Sequence, residues 1–432
     1  MPRRAVLVPV VLLASLSVVG LADPSAASSP ASARTAVTAA VSGAASAART
    51  VAAPTAADRR IAAMLSARAT VARFGTQYSG TVIDVASNRV VWSYKGRVPR
   101  RPASTTKLVT ATNALSLYGP GYRFTTTVKR SGASSALYLV GAGDPSLSGT
   151  DLAALADQTI AQLKLGSVRT VRVYADDHLF ARPSLADGWK AGYVPADVRW
   201  VRALVVNGHH AQDTSLDAAA AFAQKLTNRG LKVSTVGRAI AVKGAPVIAK
   251  VQGDTLASIV QQMMLVSDND HAEALHRLVA RKAGYSTSWL GARQAQRVVL
   301  ARDGVLLPVA TLRDGSGLSR LDRLTSTQLA RVVDNILESQ QDDLAVLRNG
   351  ALPVAGRTGT LAHRFATPQS RCAVGRVVAK TGTLSDTVTL AGYTYGTDGR
   401  LKAFAFMVDG LAPSATLRGR VDMLAATVNG CY

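Results

Sequence analysis

Two runs of strand signal near opposite ends of the chain constrain the fold most. Tyr78 to Val85 alternates apolar and polar, Ser87-Asn88 turns, and Arg89 to Tyr94 pairs back. Far downstream, Arg376 to Lys380 rises into Thr381-Gly382-Thr383. Thr387 to Tyr395 and Leu401 to Val408 then flank the turn Gly396-Thr397-Asp398-Gly399. A lone two-stranded hairpin is marginal in water, so one antiparallel sheet is expected from both ends. Arg59 to Arg73 and Ala412 to Val428 have helical spacing and are expected to cover it. Thr255 to Met264, His271 to Ala283 and Ser326 to Gln340 predict a helical lobe beside the sheet. The fold class is α/β in the loose sense (α+β).

Residues 122–245 interrupt this plan. Thr125 to Lys129, Ala136 to Val140 and Arg169 to Ala175 read as strands. Asp151 to Leu163 and Ser215 to Arg229 read as helices, the latter closed by Gly230. Residues 176–207, richer in Gly, Pro, Trp and Tyr, read as an irregular cover. The expected organisation is a catalytic body of 58–121 and 246–432 with one inserted α+β domain at 122–245.

The start of the chain predicts export. Met1-Pro2-Arg3-Arg4 is basic and Ala5 to Leu21 carries no charge, as in a secretory signal. Cleavage is expected after Ala22 or Ala27, giving a signal over 1–27. No Cys follows the apolar run, which argues against a lipid anchor. Residues 28–57, mostly Ala, Ser, Thr, Pro and Val, read as a flexible linker. Two cysteines remain, Cys372 and Cys431, and an even pair in an exported chain favours a disulfide over two buried thiols.

Three short stretches carry candidate chemistry. In Ser104-Thr105-Thr106-Lys107, Pro102 marks a break and Ala103 to Leu117 has helical spacing. Ser104 is then in the first turn and Lys107 shares its face. A serine hydroxyl needs a base to become a nucleophile, and a lysine with a lowered pKa can serve. The bland alternative is an N-cap serine and a solvated lysine. Ser267-Asp268-Asn269 offers a hydroxyl able to relay a proton between a leaving group and Lys107, and an amide able to hold a substrate carbonyl and Lys107 together. Alternatively it is a helix cap. In Lys380-Thr381-Gly382-Thr383, Lys380 and Thr381 can fix a carboxylate by charge and hydrogen bond. Gly382 permits close backbone approach. The N–H groups of Thr383 and Ser104 can form an oxyanion hole. Arg357-Thr358-Gly359-Thr360-Leu361 echoes the same letters, but alternating strands flank only Lys380.

In this order the three motifs resemble those of the penicilloyl serine transferases, which include penicillin-binding proteins and β-lactamases. Further stretches are similar to the D-alanyl-D-alanine carboxypeptidase/endopeptidase group, the class C low-molecular-mass penicillin-binding proteins (peptidase family S13). They are Gly141 to Leu147 (Gly-Ala-Gly-Asp-Pro-Ser-Leu), Asp314 to Arg320 (Asp-Gly-Ser-Gly-Leu-Ser-Arg), and Gly359-Thr360-Leu361 ahead of Ala379 to Leu384. The resemblance covers about 58–432. It implies acylation of Ser104 by the penultimate D-Ala of a peptidoglycan stem peptide, release of D-Ala, then hydrolysis, with covalent trapping by β-lactam antibiotics. It also implies that Asp144 meets the amine of a diaminopimelate side chain, although Gly-Asp-Pro is also an ordinary turn. The group usually carries two inserted domains between the first two motifs. Here the helix from Ser215 follows Ala203 to Asn207 almost directly, so the second is expected to be missing.

Two rival readings remain. A β-lactamase needs fast deacylation, often through a Glu-activated water. The chain has only Glu273 and Glu338, and neither sits in such a motif. A non-catalytic wall-binding protein on the same fold would draw on the net charge of +23. That charge suits an anionic cell-wall polymer. No zinc-finger spacing, basic helix or aromatic-basic interleaving points to nucleic acid. No cofactor or metal is expected, since His209-His210 is the closest approach to ligand spacing among six His.

Overall fold

The computed structural model describes residues 53–163, 168–339 and 342–432. The expected signal over 1–27 and residues 28–52 of the expected linker lie outside them. The first helix, α1 (Ala56–Val71), begins before the expected end of the linker at 57. Thr55 and Asp58 form a reciprocal capping box that fixes its start.

The main sheet joins the two ends of the chain as expected. Its order is β2 (Arg89–Tyr94), β1 (Tyr78–Asp84), β10 (Leu401–Asp409), β9 (Thr387–Tyr395) and β8 (Val378–Leu384). Every neighbour is antiparallel, with Tyr78 opposite Val408 and Lys380 opposite Ala391. Period-two alternation lets one strand serve two cores. In β10, Ala403, Ala405 and Met407 enter the core shared with the helical lobe. Phe404, Phe406 and Val408 enter the opposite core, with Ile61 and Leu65 of α1 and Val421 and Leu424 of the last helix, α9 (Ala415–Val428).

The helical lobe contains α2 (Lys107–Tyr118), α5 (Leu256–Val266), α6 (Asn269–Lys282) and α7 (Trp289–Arg302), while α8 (Ser326–Glu338) lies against β1, β9 and β10. The sequence reading omitted α7. Its apolar positions alternate with Arg and Gln, and Gly291 interrupts the first turn.

A second sheet has the order β6 (Lys232–Arg238), β5 (Thr170–Asp176), β4 (Ala136–Val140), β3 (Arg123–Arg130) and β7 (Val247–Thr255). The β4–β5 and β5–β6 pairs are parallel and the other two antiparallel. Helices α3 (Gly149–Leu163) and α4 (Thr214–Thr227) cover it around Leu155, Phe222 and Leu226. This corrects the boundary at 245: the sheet runs on to Thr255, because β7 pairs along β3 before the chain turns into α5. β6 and β7 lack a clean apolar face, being edge strands with Val236 and Val247 exposed.

Cys372 and Cys431 are joined by a disulfide, with Cα atoms 6.1 Å apart. A buried ion network ties α1 to the sheet. The Lys402 ammonium lies 2.7 Å from Asp58, 2.6 Å from Asp84 and 3.1 Å from Asp398. These carboxylates have metal-ligand spacing, but the ammonium occupies their centre. Arg89 and Arg400 pair with Asp58 and Asp84 from outside.

Candidate active site

Ser104 stands in a 3-10 turn, Ala103–Thr106, that runs directly into α2. The sequence predicted an α-helix throughout. In the tighter turn, residues three apart eclipse one another. Lys107 is thereby set over Ser104, with Nζ 3.2 Å from Oγ. Ala103 enters the turn at φ +48°, a conformation few non-glycine residues adopt. Gly317 packs so closely behind it that a Cβ there would come within 1.9 Å of the Ala103 carbonyl oxygen.

Lys107 Nζ donates also to Asn269 Oδ1 at 2.7 Å and to the Ser316 carbonyl at 2.9 Å. The Asn269 amide nitrogen donates to the Asp197 carbonyl at 2.8 Å. Ser267 is the αL cap of α5, at φ +63°, which turns the chain back into α6. Its hydroxyl accepts from Lys380 Nζ at 2.9 Å. The hydroxyl is paired with Lys380 because the αL turn aims it at β8. Lys380 Nζ donates in addition to the Thr381 carbonyl, and Thr381 Oγ1 to Thr360 Oγ1 at 2.8 Å. Gly382 meets its expectation: a Cβ there would lie 2.1 Å from Thr389 Oγ1 and 2.8 Å from the Pro102 carbonyl. Only a bare backbone lets β8 pass beside the serine turn.

Ser104, Ser267, Asn269, Thr381 and Thr383 line one cleft of about 390 Å³, with Lys107 and Lys380 buried behind its wall. Asp144 is not brought there. It is 2 % exposed and accepts from the Ser146 N–H and hydroxyl, an Asx turn within the Gly-Asp-Pro loop. Burial, the main cause, raises its carboxyl to about 6.

The electrostatics favour proton transfer to Lys107. Burial pushes Lys107 down to about 8, against the carboxylates of Glu273, Asp314, Asp268 and Asp270, which pull it upward. Burial and then the charge of Lys107 push Lys380 well below its ordinary value. A carboxylate arriving beside Lys380 would favour its charged form.

Sequence reasoning missed how Lys107 is held. Glu273 on α6 is fully buried and accepts from the N–H groups of Gly315 (3.0 Å) and Ser316 (2.8 Å). It therefore fixes the turn whose Ser316 carbonyl holds Lys107. Asp314 closes the same turn, accepting from Gly317, Ser319 and Trp189. Asp197, Leu318, Arg364 and Arg418 of the cleft lining were missed as well. They lie far apart in the chain, and apart from Leu318 in the Asp314 to Arg320 stretch they stand in no motif.

The model of the D-Ala-D-Ala carboxypeptidase 3 (S13) family matches residues 61–209 and 191–429. The chain belongs to that family. The enzyme is 32 % identical over 400 residues to carboxypeptidase DacB of Mycolicibacterium smegmatis, covering 88 % of this chain and 86 % of that one. It is 29 % identical over 431 residues to a D-alanyl-D-alanine carboxypeptidase of Actinomadura, covering 78 % of each. A crystal structure of penicillin binding protein 4 (dacB) from Haemophilus influenzae shares the fold, with a TM-score of 0.73 over 85 % of this chain and 98 % of that one at 19 % identity. The enzyme is a serine-type D-alanyl-D-alanine carboxypeptidase, acting on peptidoglycan as its family does. No helix among the described residues is long and apolar enough to cross a membrane.

Proposed function

We propose that Ser104 is the acyl carrier and that its substrate is the D-Ala-D-Ala end of a peptidoglycan stem peptide. Lys107 takes the hydroxyl proton as Ser104 attacks the penultimate carbonyl. The N–H groups of Ser104 and Thr383 receive the oxyanion. Asn269 holds Lys107 and offers its remaining amide hydrogen to the peptide. Lys380, Thr381 and Thr383 take the terminal carboxylate. Ser267 gives its hydroxyl proton to the departing amine and takes one from Lys380, so the peptide bond breaks and D-Ala leaves. Water then hydrolyses the ester, its proton returning through Ser267 to Lys380 while Lys107 returns its own to Ser104, which is freed. The observation that carries this reading is Lys107 Nζ lying within hydrogen-bond reach of both Ser104 Oγ and Asn269 Oδ1.

The same serine is open to β-lactams, and a relative's structure holds one: penicillin binding protein 4 of Haemophilus influenzae, complexed with a novel β-lactam. Rapid β-lactam turnover is not expected, because both oxygens of Glu273 are engaged by backbone N–H groups. We read 58–121 and 256–432 as the catalytic body and the second sheet, through Thr255, as an insertion. The basic start and apolar run of 1–27 support export, and the charge of +23 supports attraction to an anionic wall polymer.

The test is chromatography of stem pentapeptide muropeptides digested with residues 28–432, alongside mass spectrometry after penicillin. Wild type should release D-Ala and gain one adduct on Ser104, and Ser104→Ala should do neither. An adduct retained in Ser104→Ala identifies another nucleophile. Cleaved cross-links in the same digest would add endopeptidase action.

A further inference from the structure

A sizeable cavity lies on the second sheet, away from Ser104. It measures about 740 Å³ and takes in Asp176, Asp177, His178, Arg182 and Ile240. A neighbouring hollow of about 470 Å³ takes in Tyr118, Tyr122, Phe124, Lys129 and Arg281. His178 lines both, so the two hollows adjoin, and together they are called the groove. The groove follows the carboxyl ends of the parallel strands β4, β5 and β6, at Val140, Asp176 and Arg238. In open α/β sheets, that end is where ligands bind.

The groove's charges are unevenly satisfied. Asp177 is paired with Arg202 and Arg238, and Asp213 takes both of these arginines as well. Asp176 accepts from the Ala241 N–H and pairs with His178 Nδ1, leaving the Nε2 of that half-exposed ring for a ligand. The side chains of Arg182, Lys129 and Arg281 make no hydrogen bond or ion pair with any described residue. The acids are neutralised and three cations are free, so the groove favours an anion. One end is aromatic: Tyr118, Tyr122 and Phe124 cluster with ring centroids 4.7–5.5 Å apart, and Tyr122 is 41 % exposed. A ring face of this kind suits the C–H face of a sugar.

We propose that this groove binds an acidic glycan, a saccharide chain bearing phosphate or carboxylate groups. Sugar rings stack at Tyr122 while Arg182, Lys129 and Arg281 meet the anionic groups. The hollows of about 740 and 470 Å³ together exceed what a single drug-sized ligand fills, which suits an oligomer. The groove would hold the enzyme on its polymer while the catalytic cleft works on peptide. It gives the surplus positive charge a place to act, and it does not depend on the chemistry assigned to Ser104.

The test is calorimetric titration of the Ser104→Ala protein at low salt with three probes: neutral chitohexaose, a hyaluronan hexasaccharide bearing carboxylates, and phosphomannan. At least one acidic probe should bind ten-fold or more tightly than chitohexaose, and which one binds distinguishes carboxylate from phosphate. A triple variant (Arg182→Ser, Lys129→Ser, Arg281→Ser) should lose that binding ten-fold or more, and Tyr122→Ala several-fold. The same substitutions made with Ser104 intact should leave penicillin acylation unchanged, which certifies the fold. Equal binding of chitohexaose, undiminished binding by the triple variant, or no binding of any probe at millimolar concentration overturns the proposal.

Discussion

The assignment of Lys107 as base makes a quantitative claim about pH. Burial brings its pKa to about 8, and only the neutral amine can take the Ser104 proton. At pH 7 about one-tenth of the molecules then carry the base form, at pH 8 about half, and at pH 9 about nine-tenths. Acylation by penicillin should therefore rise about ten-fold from pH 7 to 9 and level off above. Stopped-flow measurement with a fluorescent penicillin, at constant ionic strength, would follow it. The rate should be taken at saturating ligand, so that carboxylate binding at Lys380 does not enter. Glu273→Gln supplies the second half of the experiment. Glu273 comes first among the groups raising the Lys107 pKa, and because burial and Asp314 hold its own carboxyl up to about 8, its replacement should move the inflection downward chiefly through the ionised fraction present near and above pH 8. A flat profile between pH 7 and 9, or an inflection at the ordinary lysine value above 10, would refute Lys107 as base. An unmoved inflection in Glu273→Gln would refute the coupling.

Further expectations concern the frame. Lys402→Met leaves Asp58 and Asp84 buried without their shared ammonium and should lower unfolding free energy in urea by about 3–5 kcal/mol; less than 1 kcal/mol would mean that Arg89 and Arg400 suffice. Despite burial, which opposes it, hydrogen bonding to Lys402 and Thr55 holds Asp58 down to about 2. A carboxylate depressed in this way stabilises the fold above its unfolded pKa, so that contribution should fade as pH falls from about 4 through 2, and an acid titration of wild type against Lys402→Met should show it. Cys372→Ser opens a loop spanning 59 positions and should lower stability by about 4 kcal/mol, read from urea unfolding of oxidised protein. Gly382→Ala should slow penicillin acylation at least ten-fold while leaving secondary structure by circular dichroism intact, since its new methyl presses on Pro102 and Thr389 beside the serine turn.

The main sheet and the motif residues were legible because each rests on a local signal. Alternation marked β9 and β10, two of the short motifs stood at element ends, and the third lies inside β8. The rest depends on what meets across the chain. Glu273 looks like any acid in an amphipathic helix until Gly315 and Ser316 are folded onto it. Ser267 carries a relay hydroxyl in either reading, but its αL backbone decides that the partner is Lys380. Asp144 shows the reverse: its letters match a recognition loop, and the fold uses its carboxylate to close a turn on Ser146. The edge strands β6 and β7 escaped notice because neither presents a fully buried face.

The pairing of β1 with β10 sets a condition on timing. Tyr78 has no strand partner until Val408 has been synthesised, and nearly the whole described chain separates them. Contacts of such long sequence separation form slowly. A nascent chain thus carries Ser104 for most of its synthesis with no β8 wall opposite it, and the sheet behind the cleft is complete only once β10 has been made.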